Sequence, residues 1–216
     1  VTVIAIDGPA GAGKSSVARA VAGALGFRYV DTGAMYRGIA LAVLERGIDR
    51  SDQDAVETVA TEVAPTLTLE SRTEDRTGRL RDTDVGTAAS EVARYPGVRR
   101  ALAARQREIA RTEDVVMEGR DIGTVIAPEA EVKLFLTAAR PVRAKRRQEQ
   151  LALPDDEATI AGIDRALAER DHADSVRPDS PMKPAPDAVQ IDSSDRDLAG
   201  VVEDVLTIVH ERLGPR

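Results

Sequence analysis

The sequence predicts an α/β fold, a doubly wound parallel sheet with helices on its faces, and three observations lead to it. Short β-branched apolar runs recur along the chain, at residues 1–6, 115–117, 132–136 and 188–191. Each is too brief for a helix and lacks the alternation of a half-exposed strand, so each reads as a strand buried on both faces. Between and after them lie segments with apolar residues at three- and four-residue spacing, and the first strand enters its helix through a glycine-rich turn.

In order, residues 1–6 form the first strand. From Lys14 to Leu25 the residues Val17, Ala18, Val21, Ala22 and Leu25 define one helical face, with Gly26 placed as a C-cap. Residues 51–64 read as a capped helix ended by Pro65. After it, 66–70 and 78–85 alternate like a polar-faced hairpin with its tip at 73–77. Residues 54–89 therefore read as a β-containing insertion. Strands at 115–117, 132–136 and 188–191 then alternate with helices at 98–111, 142–151, 160–170 and 198–213. The segment 177–186 carries four prolines and reads as a loop. No internal repeat is visible.

The 216 residues suit one globular domain, or one core carrying an insertion, and a formal charge of −7 with 31% charged residues marks an acidic chain. Bulk electrostatics argue against nucleic acid or an anionic membrane as the main partner. With no cysteine there are no disulfides or thiolate metal sites, and His172 and His210 are too far apart for a zinc motif. No apolar run approaches the roughly 18 residues that a membrane span needs, and no basic leader opens the chain. The expectation is an untargeted, cytoplasmic monomer.

Gly8-Pro9-Ala10-Gly11-Ala12-Gly13-Lys14-Ser15 matches G-x-x-x-x-G-K-[ST] at every fixed position, between a strand and a helix. Such a loop turns successive backbone N–H groups toward phosphate oxygens, and the helix N-terminus adds partial positive charge. Lys14 is placed for the β- and γ-phosphates of ATP and Ser15 for Mg²⁺. A guanine-reading N-K-x-D element is excluded, since the chain has no asparagine. Arginines Arg37, Arg99, Arg120, Arg140, Arg143, Arg146, Arg147, Arg170 and Arg177 are expected at strand ends, helix starts and loops, where open α/β sheets bind ligands. So many exceed the need of one nucleotide and fit two phosphorylated substrates held face to face.

The blocks Asp31-Thr32-Gly33-Ala34-Met35-Tyr36-Arg37, Ala88-Ala89-Ser90, Pro96-Gly97-Val98-Arg99, Gly119-Arg120-Asp121-Ile122-Gly123-Thr124 and Arg170-Asp171-His172-Ala173-Asp174-Ser175-Val176-Arg177 complete the pattern. With the P-loop, they make the whole chain resemble bacterial cytidylate kinase, a P-loop nucleoside monophosphate kinase. The resemblance implies transfer of the ATP γ-phosphoryl group to CMP or dCMP. It implies a core of residues 1–31, 92–140 and 160–216, a monophosphate-binding part over 32–91 and a helical lid over 141–159. It assigns Gly8, Gly11, Ala12, Gly13, Lys14, Ser15 and Ser16 to ATP, Ser15 also to magnesium, and Arg146 and Arg147 to the closing lid. Thr32, Tyr36 and Arg37 fall to the monophosphate side, with Arg37 on phosphate. Ser90, Arg99 and Asp121 would read cytosine. Arg120 and Arg177 would hold phosphate, and Arg170 and Asp174 would reach the CMP ribose and phosphate. Lys14, Arg146, Arg147 and Arg177 form the implied catalytic set.

Several residues keep a second reading. Asp121 can be a turn-capping residue after its strand. Arg140, Arg143 and Lys145 read better as a solvated helix face, a reading also open for Arg146 and Arg147. Asp171 can be a loop residue or can orient Arg170, and His172 receives no role. At the level of function the alternatives are a P-loop kinase for UMP, AMP, GMP or shikimate, an ATP-binding switch, and, last, a nucleic-acid binder. Without tryptophan, and with five other aromatics, there is little for bases to stack on.

Overall fold

In the computed structural model, residues 1–67, Arg79 and 82–214 are described, and the chain divides into two compact units. The first comprises residues 2–29 and 114–216, the second Val1 and Val30–Glu113.

The first unit is built on the sheet. Strand β1 (Val3–Asp7) is buried along its whole length, as a continuous apolar run between two helical layers must be. It pairs in parallel with β3 (Val115–Gly119) on one side and β4 (Val132–Thr137) on the other, in the register Ile4↔Val116 and Ile4↔Val132. β5 (Val189–Asp192) pairs in parallel with β4, and the strand order is β2-β3-β1-β4-β5, where β2 is Arg28–Asp31. Helices α1 (Lys14–Leu25) and α8 (Leu198–Leu213) pack together, and their Val17, Val21, Val201 and Val205 join Ile4, Ile6 and Leu134 in one apolar cluster. Each such side chain, fully buried, contributes about 1.5–3 kcal/mol. With the chain crossing back after every strand, the segments following β1, β3, β4 and β5 all leave the carboxyl edge of the sheet, the edge where α/β proteins bind ligands.

α6 (Arg140–Gln150) and the long α7 (Glu157–Val176) pack against each other. Asp156 caps α7 by accepting from Thr159 N at 2.8 Å. The proline-rich segment after α7 is irregular, as expected, and is tied at its middle and just past its end. Met182 N donates to the Asp174 carbonyl at 2.8 Å, and Lys133 Nζ lies 2.9 Å from Asp187.

In the second unit, α2 (Thr32–Glu45), α3 (Gln53–Val63), α4 (Thr83–Val92) and α5 (Pro96–Thr112) follow one another. Asp31 caps α2 through Ala34 N at 2.9 Å, and Asp52 caps α3 through Ala55 N. Pro65 ends α3 by removing an N–H, and the chain tightens into a 3₁₀ turn at Ala64–Thr66. Glu57 on α3 accepts from Gly97 N at 2.8 Å and so caps the proline-led start of α5.

The expected hairpin is corrected where it can be followed. Thr66 lies in the 3₁₀ turn and residues 83–85 open α4, whose apolar positions Val85, Ala88, Ala89 and Val92 recur at helical spacing. The rest of the hairpin, 68–78, 80 and 81, lies outside the described residues. Strand β2 and helix α2 were not anticipated. β2 has only four residues, and Gly33 and Gly38 lower the helical signal of α2, which packing of Ile39, Ala40 and Val43 restores. No described helix is long and apolar enough to cross a membrane.

Candidate active site

The phosphate loop owes its shape to glycine where backbone comes closest. Gly8 has φ +143, and a Cβ there would stand 2.0 Å from the Leu136 carbonyl oxygen. No side chain can be accommodated at that distance. Downstream, α1 starts at Lys14 with no side-chain cap and no acidic residue in its first turn. Its first N–H groups and the positive end of its dipole are thus left for an external anion.

Gly11, Ala12, Gly13, Lys14, Ser15 and Ser16 line an open pocket of about 540 Å³, shared with Arg146 and Arg147 of α6 and with residues of the β5–α8 turn. Gly8, the first residue of the loop, is outside that lining. Lys14 is buried, its Nζ donating to the Pro9 carbonyl at 2.7 Å. Burial pushes the Lys14 ammonium down to about 7; nearby Arg120 and Arg170 add to the effect, while Glu118 and Asp7 oppose it. An entering phosphate would restore the proton by supplying negative charge at the amine. Arg146 donates to Ser193 Oγ at 3.0 Å and to its carbonyl at 2.7 Å. Ser193 Oγ in turn reaches the Ala12 carbonyl at 3.1 Å and that of Thr137 at 3.0 Å, tying the phosphate loop to β4 and β5. Arg147 donates to Gln150 at 2.8 Å.

A second group sits in the same unit. Arg120, directly after β3, donates through Nε to Asp174 at 3.0 Å, and Arg177, at the C-cap of α7, lies 3.2 Å from the other Asp174 oxygen. One carboxylate thereby orients two guanidinium groups, each of which also donates to a carbonyl, Arg120 to that of Gly119 at 3.2 Å and Arg177 to that of Ser180 at 3.3 Å. Arg170 lies inside α7, not at a helix start, strand end or loop as expected; it joins this unit's positive field through its effect on Lys14.

Asp121 leads into a wide helical turn at Ile122–Ile126 whose carbonyl pattern is of the i→i+5 kind, with Ala127 N donating to the Ile122 carbonyl at 2.7 Å. Its side chain makes no cap bond to that turn. Asp7 does this work instead, from the end of β1. Its two oxygens accept from Ile122 N and Gly123 N, both at 2.8 Å. Burial lifts the Asp7 carboxyl to about 6, the two N–H bonds opposing the rise. Replacing Asp7 by alanine would leave both N–H groups buried and unbonded, at about 1–3 kcal/mol each. Chemical denaturation should therefore show a loss on the order of 2–6 kcal/mol, and a loss below 1 kcal/mol would remove Asp7 from this role.

In the second unit, Thr32 is buried in the first turn of α2, with Tyr36 and Arg37 one turn on. Arg37 is held 3.0 Å from Asp31. Ser90 is on α4, its Oγ donating to the Gly86 carbonyl at 3.2 Å, and Arg99 is buried in the first turn of α5. α2 packs on α4 and on α5.

The solvated helix face expected of α6 holds for Arg140 and Lys145, which are about half exposed and paired with Asp164 and Asp155. It is wrong for Arg143, which is 6% exposed and bonded on three sides, one partner being Asp171. Asp171 thus belongs to Arg143, not to a loop. Sequence reasoning also missed Asp7, although a carboxylate ending an apolar strand beside a glycine loop is a readable signal. It missed Ser193, which a serine pair at a strand end could have flagged. For Arg196, Asp197 and Leu198, which complete the pocket wall, local sequence carries no such sign.

A family model described as cytidylate kinase matches residues 4–211. Cytidylate kinase of Solibacter usitatus is 46% identical over 98% of this chain and 93% of its own length. Cytidylate kinase of Mycobacterium avium is 46% identical over 97% of this chain and 96% of its own. Among solved structures, shikimate kinase from Acinetobacter baumannii overlays with a TM-score of 0.51 at 14% identity, covering 100% of this chain and 96% of that one, a likeness of fold alone. The phosphate loop and the arginine blocks thus stand within a match that runs nearly end to end, and the chain belongs to the cytidylate kinase family.

Proposed function

We infer that this protein transfers the γ-phosphoryl group of ATP to CMP and dCMP, giving CDP and dCDP. The observation that carries the inference is the family match over residues 4–211, because the pocket chemistry alone specifies only a nucleoside triphosphate donor. A CMP phosphate oxygen attacks the γ-phosphorus in line, the bond to the β,γ-bridging oxygen breaks, and ADP leaves. No general base is needed, since a phosphate monoester dianion is already nucleophilic at neutral pH.

Catalysis is then positioning and charge neutralisation. Lys14 and the loop N–H groups hold the donor phosphates, and Arg146 and Arg147 close on the transferring group. Closure over 141–159 excludes water that would otherwise take the phosphoryl group. Ser15 offers a hydroxyl oxygen at the pocket, the hard donor type that Mg²⁺ takes beside phosphate oxygens. Held there, the ion would supply charge neutralisation to the donor phosphates. Arg120, Arg170 and Arg177, with Asp174, serve the acceptor phosphate and ribose; Thr32, Tyr36 and Arg37 serve the monophosphate side. Ser90, Arg99 and Asp121 read the base. The enzyme is proposed to work as a cytoplasmic monomer.

Base choice follows from donor and acceptor geometry. Cytosine offers an N4 amine to a carboxylate such as Asp121, while uracil presents a carbonyl there and an N3–H toward Arg99. Each lost bidentate contact is worth about 1–3 kcal/mol. The test is ADP formation from ATP and Mg²⁺ with each nucleoside monophosphate in turn, CMP and dCMP being expected to outrun UMP, AMP and GMP. In Asp121→Ala, kcat/KM should fall much more for CMP than for UMP. Equal losses on the two substrates would remove Asp121 from the base-reading set.

A further inference from the structure

We propose that Arg143 is a positioning residue for phosphoryl transfer, its buried guanidinium fixing the phosphate loop to α6 and α7 at once. It lies on the same helix as Arg146 and Arg147 but points into the protein, 6% exposed. Nε donates to the Ala138 carbonyl at 3.0 Å, at the end of β4. Nη1 donates to the Ala10 carbonyl at 3.0 Å, within the phosphate loop, and to Asp171 on α7 at 2.6 Å. Loop and helix also touch directly, since a Cβ at Gly11 would stand 3.0 Å from Arg143 Cβ and 3.1 Å from its carbonyl oxygen. Asp171 adjoins Arg170 and precedes Asp174 by three residues, so the partner of Arg143 rides on the helix that carries Arg170, Asp174 and Arg177.

Stability alone does not account for this arrangement. A buried ion pair must offset the desolvation of both charges, which requires its remaining polar atoms to be bonded. Here Asp171 Oδ1 is buried with no hydrogen-bond partner among the described residues. Apolar side chains of similar volume would fill the same space with no charge to desolvate. What they cannot supply is a planar fork bonding three separate segments in fixed directions. That rigidity sets how Lys14, on the loop side, faces Arg146 and Arg147 on the helix, and where α7 holds its guanidinium groups. Transfer between two bound nucleotides is sensitive to such placement, an error of about 1 Å costing on the order of a hundredfold.

The inference rests on the proposed kinase reading, and the test separates the two. In the double variant Arg143→Met/Asp171→Leu, the thermal midpoint, the ADP dissociation constant by calorimetry, and CMP-dependent kcat and KM are compared with the unaltered protein, well below either midpoint. The expected result is a midpoint close to the original, relief of the two buried charges offsetting the donor lost to the Ala10 and Ala138 carbonyls, with kcat reduced at least about tenfold. Arg143→Lys keeps the charge and loses the fork; it should show the same loss of kcat without rescue, and it decides the matter if the double variant does not fold. Either variant, folded and within about twofold of the original kcat, overturns the proposal. Should the unaltered protein bind ADP yet show no CMP turnover, the kinase reading fails, and the ADP comparison judges Arg143, an unchanged affinity in both variants overturning its role and a loss of about tenfold sustaining it.

Discussion

Replacing Lys14 by methionine is expected to lower kcat by a factor on the order of 10² to 10³, the usual consequence of removing one preorganised donor from a site that excludes water. Methionine keeps the apolar stem that lies buried in the loop, so the fold is expected to survive. Stability should move in a direction that separates this lysine from a surface one. Its pKa is held at about 7 in the folded protein against an ordinary value of 10.5, chiefly by burial. Between those two values the unfolded chain keeps a proton that the folded one has released, so folding becomes more favourable as pH rises through that window. Below about 7 both states carry the proton and the full cost of burying it is present. Each pKa unit is worth about 1.4 kcal/mol. The methionine variant, lacking this titration, should be more stable than the original protein near neutrality, with the gap closing as the solution is made alkaline. Denaturation midpoints across pH would check this; a gap that stays constant would show that Lys14 is not held against burial, and near-normal turnover would remove it from the phosphate site.

The second large effect is expected from Arg177→Ala, with kcat/KM for CMP falling by a factor on the order of 10² to 10³ while ADP affinity changes less than about threefold. The asymmetry follows from what Arg177 touches. Its guanidinium lies 3.2 Å from Asp174 and donates to the Ser180 carbonyl at 3.3 Å, partners on α7 and in the segment that follows it. Asp174 keeps its bond from Arg120, so removing Arg177 does not strand a buried carboxylate, and collapse of the fold is not expected. Arg177→Lys should recover little, because an ammonium cannot bond Asp174 and a phosphate in one plane. Steady-state kinetics with CMP beside calorimetry with ADP would decide. If donor affinity drops as far as CMP turnover does, Arg177 serves the ATP side.

Legibility in the sequence follows the range of the interaction. α1 and α8 match their expected limits, Lys14–Leu25 and Leu198–Leu213, because each pairs a clear apolar stripe with a strong stop, Gly26 or Gly214. The glycine loop was readable because its requirement is local: a chain reversal with backbone close to a phosphate. α4 was misread because the run 78–85 was weighed as alternation, whereas the helical recurrence of Val85, Ala88, Ala89 and Val92 begins only at its last residue. α2 was overlooked because two glycines dilute a helix that owes its stability to packing.

By itself, then, the sequence determined a parallel α/β core, a phosphate-binding loop at the end of its first strand, and the family whose arginine blocks it carries. The tertiary structure decided which charges are spent inside the protein and which face a ligand. Arg143 reads as one more basic residue on a basic helix until the fold brings Ala10, 133 residues away, to its guanidinium. Asp7 and Ile122 are 115 residues apart, and Ser193 and Ala12 are 181 apart. Periodicity reports a residue's neighbours within a turn or a strand, whereas these partners meet only because β1, β3, β4 and β5 end at one edge of the same sheet.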